Sequence, residues 1–186
     1  GQESAGIVTC ADGQFRVHKG MGLVSQVFKG KALERLKGSM AVGHTRYSTT
    51  GSSHHRNSQP LTVDCSKGQI AIAHNGNLTN AAQLRDELEL NGSIFQTTVD
   101  SEIILHLMAR PSGNGDSNLV QSLQRIKGAY SLVIMTENEL IGVRDPHGFR
   151  PLSIGKLDGA YVLSSETCAF DLIQAEFVRD VEPGEI

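Results

Sequence analysis

Three places along the chain carry residue types suited to holding an α-amino acid and stabilising charge on its side chain. Arg46 follows an apolar stretch at 40–44 and precedes Tyr47-Ser48-Thr49-Thr50-Gly51-Ser52-Ser53. A guanidinium at a strand's end can hold a carboxylate through two parallel hydrogen bonds. The Gly/Ser/Thr-rich run after it, through Asn57, suits a loop that closes over a site, or an ordinary polar surface loop. Asn75-Gly76 follows a second apolar stretch at 70–74. It reads either as a tight turn or as a pair of oxyanion donors, the Asn75 amide and the Gly76 backbone N–H. Because a helix follows in place of a matching strand, the hairpin reading weakens. Asp100 opens a helix, where Asp usually caps; a carboxylate there can also hold an ammonium. Together these are a cation for a carboxylate, an anion for an ammonium and two donors for an oxyanion. The set suits an α-amino acid whose side-chain carbonyl is attacked, and it lacks a nucleophile.

Other chemistry-bearing residues read more plainly. Arg144-Asp145-Pro146-His147-Gly148-Phe149-Arg150-Pro151-Leu152 joins two strands, and Asp-Pro with His-Gly makes a rigid turn, so His147 is a turn residue before it is a general base. His18, His44, His74 and His106 lack metal-ligand spacing. Cys10, Cys65 and Cys168 form no C-x-x-C pair, which argues against structural zinc and suits a reducing compartment.

The elements that must position these residues follow from periodicity. Short apolar stretches at 5–9, 15–18, 40–44, 61–63, 70–74, 130–136, 140–144, 152–154 and 160–164 read as strands, and their close spacing favours antiparallel neighbours. Helical spacing marks 80–90, 101–109 and 118–126, with a short helix near 168–173. Strands, then helices, then strands again predict one α+β domain of sheets covered by helices. The bulk numbers agree: 186 residues, 39% hydrophobic, 20% charged and net charge −3 make about one ordinary globular domain. No basic cluster points to nucleic acid or an anionic membrane, and no apolar run approaches the roughly 18 residues that span a bilayer.

Read together, Gly1–Ile7, 20–24, Gly43-His44-Thr45-Arg46-Tyr47-Ser48-Thr49, Gln59-Pro60-Leu61, Ala73-His74-Asn75-Gly76-Asn77-Leu78, Asp100-Ser101-Glu102, Lys127-Gly128-Ala129-Tyr130, 144–152, Ser164-Ser165-Glu166 and 181–185 resemble the class II, N-terminal-nucleophile glutamine amidotransferases. The resemblance covers essentially the whole chain. It is strongest to the purine-pathway branch, in which a glutaminase domain is joined to a phosphoribosyltransferase domain. The glutaminase half of glucosamine-6-phosphate synthase fits less well, because that family is expected to carry Trp after the motif arginine and His near the motif threonine, where this chain has Tyr47 and Thr50. A nonenzymatic glutamine-binding domain is the alternative of a different class.

The resemblance implies a four-layer α-β-β-α sandwich of two antiparallel sheets, its first strand and helix preceding Gly1, with the glutaminase domain spanning 1–186. It implies that Arg46 holds the substrate α-carboxylate, Asp100 the α-ammonium, and Asn75 and Gly76 the oxyanion, with Thr49 lining the pocket and 46–57 forming a loop that closes on glutamine. The family's nucleophile is an N-terminal cysteine, expected roughly 25–40 residues upstream of Gly1 from the strand and helix it must include; without it, residues 1–186 are expected to be inactive. Also implied are L-glutamine as substrate, a phosphoribosyltransferase domain downstream that binds phosphoribosyl pyrophosphate and magnesium, a [4Fe–4S] cluster in some members, no cofactor within this domain, a homo-oligomer, and a cytoplasmic or plastid location.

Overall fold

The computed structural model describes residues 3–47, 54–110 and 118–186. Its centre is a four-stranded antiparallel sheet. The strands β4 (Leu61–Cys65), β5 (Gly68–Leu78), β6 (Gly128–Met135) and β7 (Leu140–Arg144) lie side by side in chain order. The period-2 alternation of β5 and β6 separates the two faces. Ile70, Ile72, Leu132 and Ile134 belong to a core shared with α2 (Ala81–Leu90), α3 (Ser101–Ala109) and α4 (Asn118–Arg125). Ala71, Ala73 and Met135 face the other way, against Val8, Cys10 and Val42.

Those last residues come from β1 (Ser4–Ala11), β2 (Gln14–Met21) and β3 (Met40–Arg46), a three-stranded antiparallel sheet in the order β2-β1-β3. Beside it, β8 (Ser153–Leu157), β9 (Ala160–Ser164) and β10 (Glu176–Asp180) form another, in the order β10-β8-β9. A side chain at Gly142 of β7 would meet Leu163 of β9 and Leu152. Gly142 pairs with Val133, which packs against the inter-sheet core, so β9 covers the same face of the central sheet as β1 and β3 do. The outer faces carry short helices. Val27 of α1 (Val24–Val27) lies over Gly20, and Phe170 of α5 (Cys168–Ile173) lies over Gly155. The layers therefore run helix, sheet, sheet, helix, as the resemblance implied.

Three differences from the sequence reading have physical causes. The second sheet layer is split into two three-stranded halves. The strand expected at 70–74 continues to Leu78, because Gly128–Leu132 pairs with it throughout. Asn75-Gly76 therefore sits inside a strand and the turn reading is overturned. The strand β10 and helix α1 had no readable pattern: β10 is exposed at every position, and α1 has only four residues.

The two faces of β5 make opposite demands. Ile72 is fully buried among helix side chains, so Ile72→Ala is expected to cost about 2–5 kcal/mol. Ala71 is fully buried where strand faces strand, so Ala71→Leu is expected to cost about 1–3 kcal/mol through overpacking. Denaturant titration of the two variants checks both.

Candidate active site

Along the space between the sheets, the facing rows of β1 and β3 and of β5 and β6 change from apolar to polar in the same direction. On β1 and β3 the paired positions run Val8 with Val42, Gly6 with His44, and Ser4 with Arg46. On β5 and β6 they run Ala71 with Met135, Ala73 with Val133, and Asn75 with Ser131. The apolar end closes as core. The polar end opens into a cavity of about 1060 Å³, lined among others by Gly6, His44, Arg46, Gln59, His74, Asn75, Gly76, Asp100, Arg150 and Ser165. Arg46, Asn75, Gly76 and Asp100 thus meet in one place, although 54 residues separate the first from the last. Thr49 lies outside the described residues, as does the whole 48–53 part of the expected closing loop.

The direction of the Gly76 N–H comes from β5 outrunning β4. The β4 strand pairs with β5 only as far as Ile72. Beyond it, alternate backbone N–H groups of β5 point to the uncovered edge. The His74 N–H donates to Gln59 Oε1 at 2.8 Å, and the Leu78 N–H donates to Asp100 Oδ2 at 2.9 Å. By the same alternation the Gly76 N–H, midway between them, faces the cavity. Only glycine fits there: φ is +149°, and a Cβ would overlap the Ala129 carbonyl of the paired strand. On the adjacent residue, Asn75 Nδ2 donates to Ser165 Oγ at 3.1 Å, and Asn75 Oδ1 accepts from Arg150 Nη2 at 2.6 Å.

Asp100 does not cap its helix. It occupies the N-cap position of α3, but its carboxylate makes no side-chain cap bond. Instead it turns to β5, accepting from Leu78 and lying 3.3 Å from His74 Nδ1. Burial pushes this carboxyl up, but the hydrogen bond and charge of His74 and the N–H groups of Leu78 and Ser101 pull it further down, so it sits below its ordinary value. An anion held at a cavity wall suits an ammonium ligand. His74 Nδ1 also lies 3.1 Å from Ser101 Oγ, while its buried Nε2 has no partner among the described residues.

Arg46 is 5% exposed, and its Nη1 lies 3.4 Å from Glu3 Oε2. In this contact the guanidinium donates to a carboxylate of the same chain. Burial, with the neighbouring charges of His74 and Arg46, lowers the His44 pKa to about 4 and keeps that ring neutral at physiological pH.

Several site residues escaped the sequence reading as functional groups: Glu3, Gln59, His74, Arg150 and Ser165. Each lies in a segment that carried the family resemblance, but nothing in local pattern shows that Gln59 closes a strand edge or that Arg150 reaches Asn75. His147 stays in the 144–152 turn, as expected, and is absent from the cavity lining. The same holds for the three cysteines. Cys10 is buried with its thiol against the Glu137 carbonyl, Cys65 contacts Gly68 O, and Cys168 is exposed. Among the described residues no three His, Cys, Asp or Glu side chains converge as a metal site requires.

The depressed His44 pKa has a consequence for stability. Between its ordinary 6.5 and about 4, the unfolded chain binds a proton that the folded chain refuses. Stability should therefore fall as pH drops through that window, by about 2–3 kcal/mol, and then level off for this group. Asp100 acts in the same direction but at lower pH, as its carboxylate is protonated. His106, also lowered by burial, shares the upper window. Urea midpoints measured against pH should show a shallower slope there for His44→Gln than for the unsubstituted protein.

Comparison with known proteins places the chain in a family. A family described as "Glutamine amidotransferase domain" matches residues 44–171. Amidophosphoribosyltransferase of Bacillus subtilis is 49% identical over the whole chain, and that of Synechocystis is 52% identical; the chain spans 40% and 39% of their lengths. A solved glutamine phosphoribosylpyrophosphate amidotransferase from B. subtilis, complexed with ADP and GMP, superposes with a TM-score of 0.91 at 48% identity, over 98% of this chain and 40% of that one. A predicted glutamine amidotransferase from Pseudomonas aeruginosa, 15% identical with a TM-score of 0.51 over 98% of this chain and 73% of its own, shares the fold. On the family match over residues 44–171, this chain belongs to the glutamine amidotransferase domain family.

Proposed function

We propose that this chain is the glutamine-hydrolysing domain of an amidophosphoribosyltransferase. It releases ammonia from L-glutamine, and a phosphoribosyltransferase domain uses that ammonia to convert phosphoribosyl pyrophosphate to phosphoribosylamine for purine synthesis. The observation that carries this reading is the meeting of Arg46, Asp100, Asn75 and Gly76 in one cavity. Four groups from three distant segments then match the three charged or charge-developing parts of one substrate. Arg46 takes the α-carboxylate, Asp100 the α-ammonium, and Asn75 Nδ2 with the Gly76 N–H the oxygen of the side-chain amide. Thr49 lines the pocket in this reading, and 46–57 closes over it.

The chemistry follows from these placements. A thiolate adds to the amide carbon, and the carbonyl oxygen takes up the negative charge that the two donors stabilise. The tetrahedral adduct collapses, the amide nitrogen takes the proton that the thiol gave up and leaves as ammonia, and water hydrolyses the thioester to glutamate and the free thiol. Cys10, Cys65 and Cys168 do not line the cavity, so the thiolate in this reading is the N-terminal cysteine of the full-length protein. Magnesium and phosphoribosyl pyrophosphate belong to the second domain, as would any [4Fe–4S] cluster, and the working protein is a homo-oligomer. A cytoplasmic or plastid setting accords with three unpaired cysteines and with relatives of which three are named chloroplastic. The glucosamine-6-phosphate synthase alternative is weakened by similarity to amidophosphoribosyltransferases over the whole of this chain.

Arg46→Ala in the full-length protein tests the reading. It is expected to cost glutamine-dependent synthesis about 2–4 kcal/mol in kcat/KM, the worth of one charge-assisted anchor. Ammonia-dependent synthesis, which bypasses this cavity, should survive. Equal loss of both activities contradicts the assignment.

A further inference from the structure

We infer that Arg150 is a positioning residue for the oxyanion site, setting which end of the Asn75 carboxamide faces the cavity; this rests on the glutaminase reading above. A carboxamide has two orientations related by a flip, of nearly equal shape and opposite polarity. Only one presents Nδ2 as a donor; the other presents Oδ1, which would repel a developing oxyanion. The second partner of this amide, Ser165 Oγ at 3.1 Å, does not choose between them, because a hydroxyl donates and accepts equally well. Arg150 does choose. A guanidinium only donates, so the atom 2.6 Å from its Nη2 must be Asn75 Oδ1, and Nδ2 is turned the other way.

The arginine is itself held. Its backbone N–H donates to Asp145 Oδ2 at 2.9 Å, and its carbonyl accepts from Arg144 Nε at 2.9 Å. Asp145 is fully buried and also accepts from the N–H groups of His147 and Phe149. Burial raises that carboxyl, but the backbone donors of Arg150, Phe149, His147 and Tyr130 outweigh it and hold it below its ordinary range. The turn that the sequence shows as Asp-Pro-His-Gly is thus a rigid mount that carries Arg150 to a residue 75 positions earlier. The guanidinium reaches Asn75 while its buried Nε has no partner among the described residues, so the contact is made at a cost in polar satisfaction.

The test uses the full-length protein and steady-state glutaminase kinetics for Arg150→Met, Arg150→Lys, Asn75→Ala and the double variant Asn75→Ala/Arg150→Met. Removing one oxyanion donor outright typically costs on the order of 100–1,000-fold in kcat, so a misdirected donor should cost on the order of 10–100-fold. Arg150→Met should show that loss in kcat with KM changed less than about threefold, while Arg150→Lys, still a pure donor, retains most of the rate. The double variant should be no slower than Asn75→Ala alone. Multiplying losses, a Lys variant as poor as Met, or an effect confined to KM would overturn the proposal. A normal defect in Asn75→Ala with none in Arg150→Met overturns it alone. If Asn75→Ala leaves kcat unchanged, the glutaminase reading fails and takes the proposal with it. Ammonia-dependent synthesis by each variant reports that the remainder of the protein is intact.

Discussion

The site depends on one unequal pairing: β5 is eleven residues long, and β4 covers only its first part. A strand inside a sheet spends its backbone donors on its neighbours. Past Ile72, β5 keeps β6 on one side but has no strand on the other, so its N–H groups at 74, 76 and 78 must find other acceptors. Gln59 and Asp100 satisfy the outer two. The middle one is left to the cavity, fixed in direction by the ladder to β6. In the proposed reaction a donor aimed in this way needs no side chain and little reorganisation, because the sheet that stabilises the fold also aims the group. Gly76 is the necessary companion, since any side chain there would strike the paired strand.

The gradient along the inter-sheet space explains how one layer serves both stability and chemistry. At one end, Val8, Cys10, Val42, Ala71, Ala73 and Met135 pack without polar atoms to satisfy, the thiol apart. At the other, the same rows present His44, Arg46 and Asn75. Buried charge is costly unless paired, and the pairings observed are the ones a substrate would complete. Arg46 meets the carboxylate of Glu3, and Asp100 meets the His74 ring and a backbone N–H. Neutral His44 beside Arg46 avoids placing a second cation where the anion-binding group sits.

How far the sequence disclosed this is clear from particular residues. The apolar stretch at 70–74 and the helical spacing of Ile103, Ile104, Leu107 and Met108 marked a strand and a helix, which the structure joins in the central sheet and its covering layer. The chemical complementarity of Arg46, Asn75-Gly76 and Asp100 pointed to an amino-acid ligand, and the family resemblance gave each a role. Local rules failed where tertiary pairing overrode them. Asn-Gly reads as a turn, yet β6 holds it in a strand; Asp before a helix reads as a cap, yet β5 takes its carboxylate. The contact between Arg150 and Asn75 was invisible, because it joins a turn to a strand far away in the chain and neither carries a pattern that names the other. The exposed β10 has no buried face for periodicity to mark.

The central claim is that Asn75 Nδ2 and the Gly76 N–H receive the oxygen of the attacked amide while Arg46 and Asp100 hold the amino-acid end. The direct measurement is a crystal structure of the full-length protein after reaction with an electrophilic glutamine analogue. The account predicts a covalent adduct in the cavity with its oxygen within hydrogen-bond distance of both donors, its carboxylate on Arg46 and its ammonium on Asp100. An adduct whose oxygen points away from β5, or whose amino-acid end lies elsewhere, would contradict it.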